Sequence, residues 1–170
     1  MAFAIEFFLD EASVDRVREV WTQMTAEGFV VAMEGRPHIT LGIWDEIDIE
    51  KSQTWLRDYA TTVKPFEVRF ASVGYFANDL TVVFLAPVVT AHLLDLQVGF
   101  QNEFRGQVGE AWSNFRPGWW VPHCTLAQGI ERESFSEAMT LSREIELPFD
   151  AVLESIGIVE FPALNEHGTF

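Results

Sequence analysis

The pattern Pro-His-x-Thr-Leu occurs twice, as Pro37-His38-Ile39-Thr40-Leu41 and as Pro122-His123-Cys124-Thr125-Leu126. Alternation along an extended strand sends His38 and Thr40 to one face and Ile39 and Leu41 to the other, and it sorts His123 and Thr125 from Cys124 and Leu126 in the same way. The apolar members read as core, with Cys124 a small hydrophobe rather than a nucleophile. The two His/Thr pairs read as polar faces that need a purpose. Each leading proline suits the first residue of a strand, where its missing amide donor matters least.

A second repeat runs in step with the first. Pro65-Phe66-Glu67, with Phe70, Ser72, Val73 and Gly74 after it, recurs 83 positions later as Pro148-Phe149-Asp150 with Leu153, Ser155, Ile156 and Gly157. The two His motifs are 85 positions apart. The apolar stretch from Phe3 to Leu9 reads as a buried strand. A helix follows, with Ser13 as N-cap, Val14, Val17, Trp21 and Met24 on its inner face, and Gly28 at its end. Residues around Val30 to Met33 read as extended and Glu34 to Pro37 as a turn. A helix over 49–63 comes after the first His strand and stops at Pro65. Strands over 66–76 and 80–85 form a hairpin about Ala77-Asn78-Asp79. Val89, Leu93, Leu96, Phe100 and Phe104 trace the stripe of a third helix, ending near Gly106. After the second His strand, Ser134 and Glu137 form a candidate capping box for a fourth helix. The last strand covers 149–161, and the tail after Pro162 reads as a loose end.

The chain therefore repeats one order twice: strand, helix, His strand, helix, Pro-Phe strand. One domain over 1–170, built from pseudo-symmetric repeats at about 3–76 and 79–161, accounts for this order. The expected fold class is α+β, with two lobes, each a mainly antiparallel sheet with helices outside, and a central cleft. Two such repeats sharing a core pack about a pseudo-twofold axis. That axis turns the two His/Thr faces toward one cleft.

Facing imidazoles and hydroxyls suit displacement at phosphorus. One ring, neutral, takes the nucleophile's proton while the other, protonated, supplies one to the leaving oxygen. Threonine hydroxyls hydrogen-bond the non-bridging oxygens. The motifs bring no carboxylate and only one histidine each, so no metal and no cofactor are expected.

Charge narrows the ligand. The formal net charge is −15 and Lys51 and Lys64 are the only lysines, so a long nucleic acid would be repelled, while a small anion at one local site is admissible. The single cysteine excludes an intramolecular disulfide framework. The first residues carry Glu6 and no basic leader, and they are too few to span a bilayer. A soluble, cytoplasmic monomer without membrane partners is the expectation.

The doubled His-x-Thr-Leu in a duplicated chain of this length resembles the 2H phosphoesterase superfamily, which includes the bacterial RNA 2',3'-cyclic phosphodiesterases, also called 2'-5' RNA ligases. The resemblance spans essentially the whole chain. It implies that His38 and His123 are the catalytic acid and base, in an order left open, and that Thr40 and Thr125 bind phosphate. It also implies opening of a 2',3'-cyclic or related phosphate on a nucleotide or short RNA end. Family members that act on RNA offer more basic surface, and a β-branched residue is usual where Cys124 stands. A module of the same scaffold that binds a nucleotide, a phosphorylated metabolite or a protein without turnover is the alternative from another class. Further candidates for substrate contact are Arg36 and Arg116 as phosphate ligands, Trp119 and Trp120 as stacking surfaces, and Tyr75 on the rim. Surface placement for the arginines and packing for the aromatics are the plainer readings of each.

Overall fold

Why the element order repeats is visible in how the strands pair. In a computed structural model of the protein, which describes residues 1–32 and 35–170, the elements run β1 (Ala2–Leu9), α1 (Glu11–Ala26), β2 (His38–Trp44), α2 (Ile49–Ala60), β3 (Phe66–Phe76), β4 (Val82–Pro87), α3 (Ala91–Val108), β5 (Cys124–Ala127), α4 (Phe135–Leu141), β6 (Phe149–Phe161) and β7 (Asn165–Thr169). The strands form one sheet in the order β2-β1-β6-β3-β4-β5, with β7 alongside β6, and every pairing is antiparallel. This order is unchanged when β1, β2 and β3 are exchanged for β4, β5 and β6. The central β3/β6 ladder pairs Phe66 with Leu153, Val68 with Ala151 and Phe70 with Phe149, so an offset of 83 maps the ladder onto itself about Val68 and Ala151. The class is α+β with an antiparallel sheet and four helices, as expected. The two expected sheets, however, are hydrogen-bonded into one. The Pro-Phe strands are each other's neighbours, and each would otherwise leave a row of unpaired amides.

One face of the sheet carries the core. Phe3, Ile5, Phe7 and Leu9 of β1 alternate onto it, joined by Ile39 and Leu41, Cys124 and Leu126, and Leu153 and Ile158. The helices close over them with Val17, Trp21 and Met24 of α1, Leu56 and Tyr59 of α2, and Leu93, Phe100 and Phe104 of α3. Trp44, Trp55, Tyr59, Phe100 and Phe104 form a connected aromatic group, with ring centroids 4.9–6.4 Å apart. Among the described residues, no helix is long and apolar enough to cross a membrane.

Element ends differ from the sequence reading in physically simple ways. Asp10, not Ser13, caps α1: its carboxylate accepts the Ser13 amide at 3.1 Å and the Ser13 hydroxyl at 2.7 Å. An aspartate at the strand-to-helix corner outcompetes a serine one turn later because it also takes the amide of Val152 at 2.6 Å. Ser134 makes no side-chain cap, and Arg132–Ser134 is instead a turn of 3-10 helix. Helices α2 and α3 end at Ala60 and Val108. The tail is not loose: β7 pairs with β6, and Phe170 exchanges backbone hydrogen bonds with Ile156 at 2.8 and 2.9 Å. Val30 makes one bridge with Gln128, while the expectations for Met33 and for the turn opening at Glu34 lie outside the described residues.

Asp10 ties β1, α1 and β6 through one carboxylate. Burial works to raise its pKa, but the bonds from Val152 and Ser13 outweigh burial and hold it below the ordinary carboxylate value. A lowered folded-state pKa makes this stability present above the unfolded value near 3.9 and lost as pH falls through the folded one. We expect Asp10→Ala to cost about 1–3 kcal/mol at pH 7 in denaturant titrations, with the gap to wild type narrowing below about pH 4. Equal midpoints at pH 7 would show that this corner does not hold the fold.

Candidate active site

The two His motifs sit on the outermost strands of the sheet order, yet they meet. β2 and β5 are in contact. Curling of the sheet brings its edges together, and side chains seal them. Trp120 donates its indole N–H to the Thr40 carbonyl at 2.9 Å, and Trp21 donates its own to the Thr125 carbonyl at 3.1 Å. The backbone of each motif threonine is thus held by a buried tryptophan.

A bulge follows each threonine. Glu6 of β1 lies opposite Thr40, but the next pair is Ile5 with Gly42, so Leu41 is left out of the ladder. The other half repeats this: Phe84 lies opposite Thr125 and Val83 opposite Ala127, so Leu126 is passed over. The Leu41 carbonyl is taken instead by Gln101 at 2.8 Å and Gln97 at 3.4 Å, which accounts for two buried glutamines on α3.

Both histidines are fixed in the same tautomer by their own strand entries. His38 Nδ1 donates to the Arg36 carbonyl at 2.6 Å and His123 Nδ1 donates to the Val121 carbonyl at 2.7 Å. A carbonyl can only accept, so Nδ1 carries a proton in each ring and Nε2 is the atom free to exchange one. The expected face assignment holds: Ile39, Leu41, Cys124 and Leu126 are fully buried, while both histidines are half-buried. Thr40 is buried and Thr125 is half-buried. His123 itself lies just before β5 rather than within it.

The floor beneath the two rings differs. His38 Nε2 faces the Glu6 carboxylate, 3.2 Å from Oε1. His123 faces aromatic edges, with the Phe76 and Phe84 centroids 4.9 and 5.3 Å away. Burial raises the pKa of Glu6, against the pull of His38, with Glu166 adding to the rise. Burial lowers that of His123, and the His38 charge lowers it further, against the bond to Val121. Glu6 was the residue overlooked in the sequence. Its signal was one charge in the middle of an otherwise apolar buried strand, Ala2–Leu9.

The other candidates separate. Arg36 stacks over the Phe8 ring at 4.2 Å, next to His38. Tyr75 and Trp119, both exposed, line a cavity of about 390 Å3 together with Phe76, Asn78, Asn114 and His123. Trp120 is buried behind β2 and offers no stacking face. Arg116 points elsewhere: Nε donates to the Ala111 carbonyl at 2.9 Å and Nη1 pairs with Glu110 at 2.9 Å. Among the described residues, no three side chains of His, Cys, Asp or Glu assemble as a metal-ligand group.

The profile of the 2'-5' RNA ligase superfamily matches residues 9–162. The chain belongs to that superfamily, a 2H phosphoesterase family, and membership supports phosphoesterase activity as its general class. In fold the chain is similar to TT0787 of Thermus thermophilus, with 20% identity and a TM-score of 0.64 over 100% of this chain and 97% of that one. It is also similar to a crystallised phosphoesterase, at 15% identity and a TM-score of 0.56, covering 96% and 91% of the two chains. A third similar structure is apo LigT of E. coli, at 18% identity and a TM-score of 0.51, covering 99% and 92%. No curated protein matches the chain in a sequence search.

Cys124 tests the facing of the second motif. Burial, with Glu6 adding to it and the His38 backbone opposing, pushes its thiol up to about 12. It should not react with a disulfide reagent at pH 8 in the native state and should react fully once unfolded. Rapid native labelling would mean that this strand presents its other face.

Proposed function

We propose that the protein is a phosphodiesterase that opens a 2',3'-cyclic or related cyclic phosphate on a nucleotide or short RNA end. His38 and His123 act as general acid and base, and Thr40 and Thr125 bind the phosphate. The observation that carries this reading is the matched locking of the two rings. Each Nδ1–H is spent on the carbonyl two residues earlier, so Nε2 is the proton-exchanging atom of each ring, that of His38 beside Glu6 on β2 and that of His123 at the entry to the adjoining β5. Displacement at phosphorus needs that pair, one atom to receive a proton and one to supply it. No step in this scheme calls on a metal ion.

Substrate size follows from charge and shape. A net charge of −15 opposes a long phosphate backbone. Arg36 is the cation beside His38 that can meet one phosphate, since Arg116 is tied to Glu110. The cavity beside His123 has the aromatic walls that a nucleobase stacks on, with Trp119 the most exposed of them.

Turnover of a panel of cyclic phosphates in excess chelator tests the reading. The rate on a 2',3'-cyclic nucleotide should persist without divalent cations and be bell-shaped in pH, its limbs belonging to the pair. His38→Ala and His123→Ala should each lower kcat/KM by about a hundredfold or more, and together by less than the product. Thr40→Val and Thr125→Val should cost about 1–3 kcal/mol each. Folded histidine variants that turn over at the wild-type rate, or loss of activity restored only by a metal, would reject the mechanism. A chain that binds nucleotide without turnover would be a binding module.

In the same assays, Arg36→Ala should raise KM several-fold while Arg116→Ala leaves it near wild type. Trp119→Ala should raise KM for a nucleoside cyclic phosphate by about tenfold, as loss of one stacking contact implies. The reverse ranking of the two arginines would place the phosphate elsewhere.

A further inference from the structure

Strand β7 has no counterpart in the first repeat. It runs along the far half of β6, pairing Gly157 with Thr169, Val159 with Glu166 and Glu160 with Asn165, while Phe170 closes on Ile156. β3 takes the near half of the same edge, from Phe149 to Leu153. Exchange of the repeats maps this edge onto that of β3, where β6 covers Phe66 to Phe70 and the positions matching Ile156 to Glu160 are Val73 to Ala77. β4 lies on the opposite edge of β3, and among the described residues no strand fills this one.

The unfilled edge is built like the filled one. A bulge passes over Glu154 between Leu153 and Ser155, and its match passes over Ala71 between Phe70 and Ser72. Ser155-Ile156-Gly157 recurs as Ser72-Val73-Gly74. Ile156 donates its amide to the Phe170 carbonyl at 2.9 Å and accepts the Phe170 amide at 2.8 Å. The matched register therefore turns the Val73 amide and carbonyl toward the open side. A Cβ at Gly157 would lie 2.8 Å from the Gly168 carbonyl oxygen, so β7 comes this close only over a glycine, and Gly74 holds the matched position. Ile156, Gly157 and Ile158 are buried, whereas Ser72 and Tyr75 are exposed and Val73 and Gly74 half-buried.

From this we infer that the edge of β3 from Val73 to Ala77 is a strand-addition site, and that its occupant is an extended, basic segment of a partner protein running antiparallel to β3. A strand is what the fold already accepts at the matched edge, and unpaired edge amides are a template for one. Charge selects the partner. Residues 131–148 include α4, whose Phe135 ring packs 4.8 Å from Tyr75, and lead into β6; they hold five glutamates against Arg132 and Arg143. One of them, Glu146, matches Val63, which lines a cavity together with Phe170. A net charge of −15 on each chain opposes edge-to-edge pairing of two copies. The site ends at Tyr75, Phe76 and Ala77, which also line the cavity beside His123, so the guest strand lies against the wall of that cavity.

The test follows backbone amides of the whole chain by NMR. In the free protein the Val73 amide should exchange with solvent about a hundredfold or more faster than the Ile156 amide. The probe is the capped hexapeptide Asn-Lys-His-Gly-Thr-Phe, the sequence from Asn165 to Phe170 with its glutamate made lysine. It should slow Val73 exchange and shift the Val73 and Tyr75 amides saturably, leaving Ile156 unmoved. The same peptide with glutamate should bind about tenfold more weakly at low salt. Val73→Pro should abolish the response in a protein whose circular dichroism is unchanged, because proline is tolerated on an edge where its missing donor faces out. If that variant fails to fold, an N-methyl group on the peptide's phenylalanine decides by the same loss. A Val73 amide protected in the free protein at every concentration, no response to millimolar peptide, or equal binding of the two peptides would overturn the inference. Protection that grows with protein concentration in the absence of peptide would overturn it in favour of a second copy.

Discussion

The register of β3 against β6 is the constraint on which the other features depend. Five consecutive pairs from Phe66 with Leu153 to Phe70 with Phe149 join the halves with no slip. A shift by one residue would turn Val68, Phe70, Ala151 and Leu153 from the core face to the other, and all four are buried. The register is thus held by apolar burial on both strands at once. Because it is centred, it also sets where the remaining strands fall: β1 and β4 flank the pair and β2 and β5 end the order.

From that frame the site follows by curvature. Outer strands of a twisted sheet approach each other only if their edges are satisfied by something other than a ladder, since an open edge invites pairing with another chain. Here the indoles of Trp21 and Trp120, the amides of Gln97 and Gln101, and the Trp112 backbone amide on the Ile43 carbonyl supply those partners. The same groups that blunt the edges hold the threonines. The bulges at Leu41 and Leu126 re-aim the strands next to each His/Thr pair. A fold that is symmetric in backbone becomes asymmetric in chemistry through side chains alone, with a carboxylate under one ring and aromatic edges under the other.

Much of this was legible in the residues. The doubled motifs and the doubled Pro-Phe strands carried the element order, the antiparallel α+β class and the inward facing of Ile39, Leu41, Cys124 and Leu126, because spacing and alternation are properties of the chain itself. The rest depends on partners distant in sequence. Asp10 outranks Ser13 as a cap because of Val152, on another strand. Asn165–Thr169 is polar and carries a glycine at φ 134, so nothing local marks it as a strand; the free edge of β6 does. Arg116 reads as a phosphate ligand until Glu110 and the Ala111 carbonyl are seen to hold it. Trp120 and Trp119 are adjacent in sequence and opposite in use, one tethering Thr40 and the other exposed on the cavity. Glu6 was visible as the one charge in β1, but its meaning needed the register that sets it opposite Thr40.

The central claim is that both motifs act on a single phosphate. It is tested most directly by titrating the protein with adenosine 2'-phosphate, the product-like monoester, while following the ring signals of His38 and His123 by NMR. One phosphate held between two Nε2 atoms must perturb both rings with the same saturation curve, and Thr40→Val or Thr125→Val must weaken both responses together. Perturbation of one ring alone, or two curves with different midpoints, would contradict a shared site.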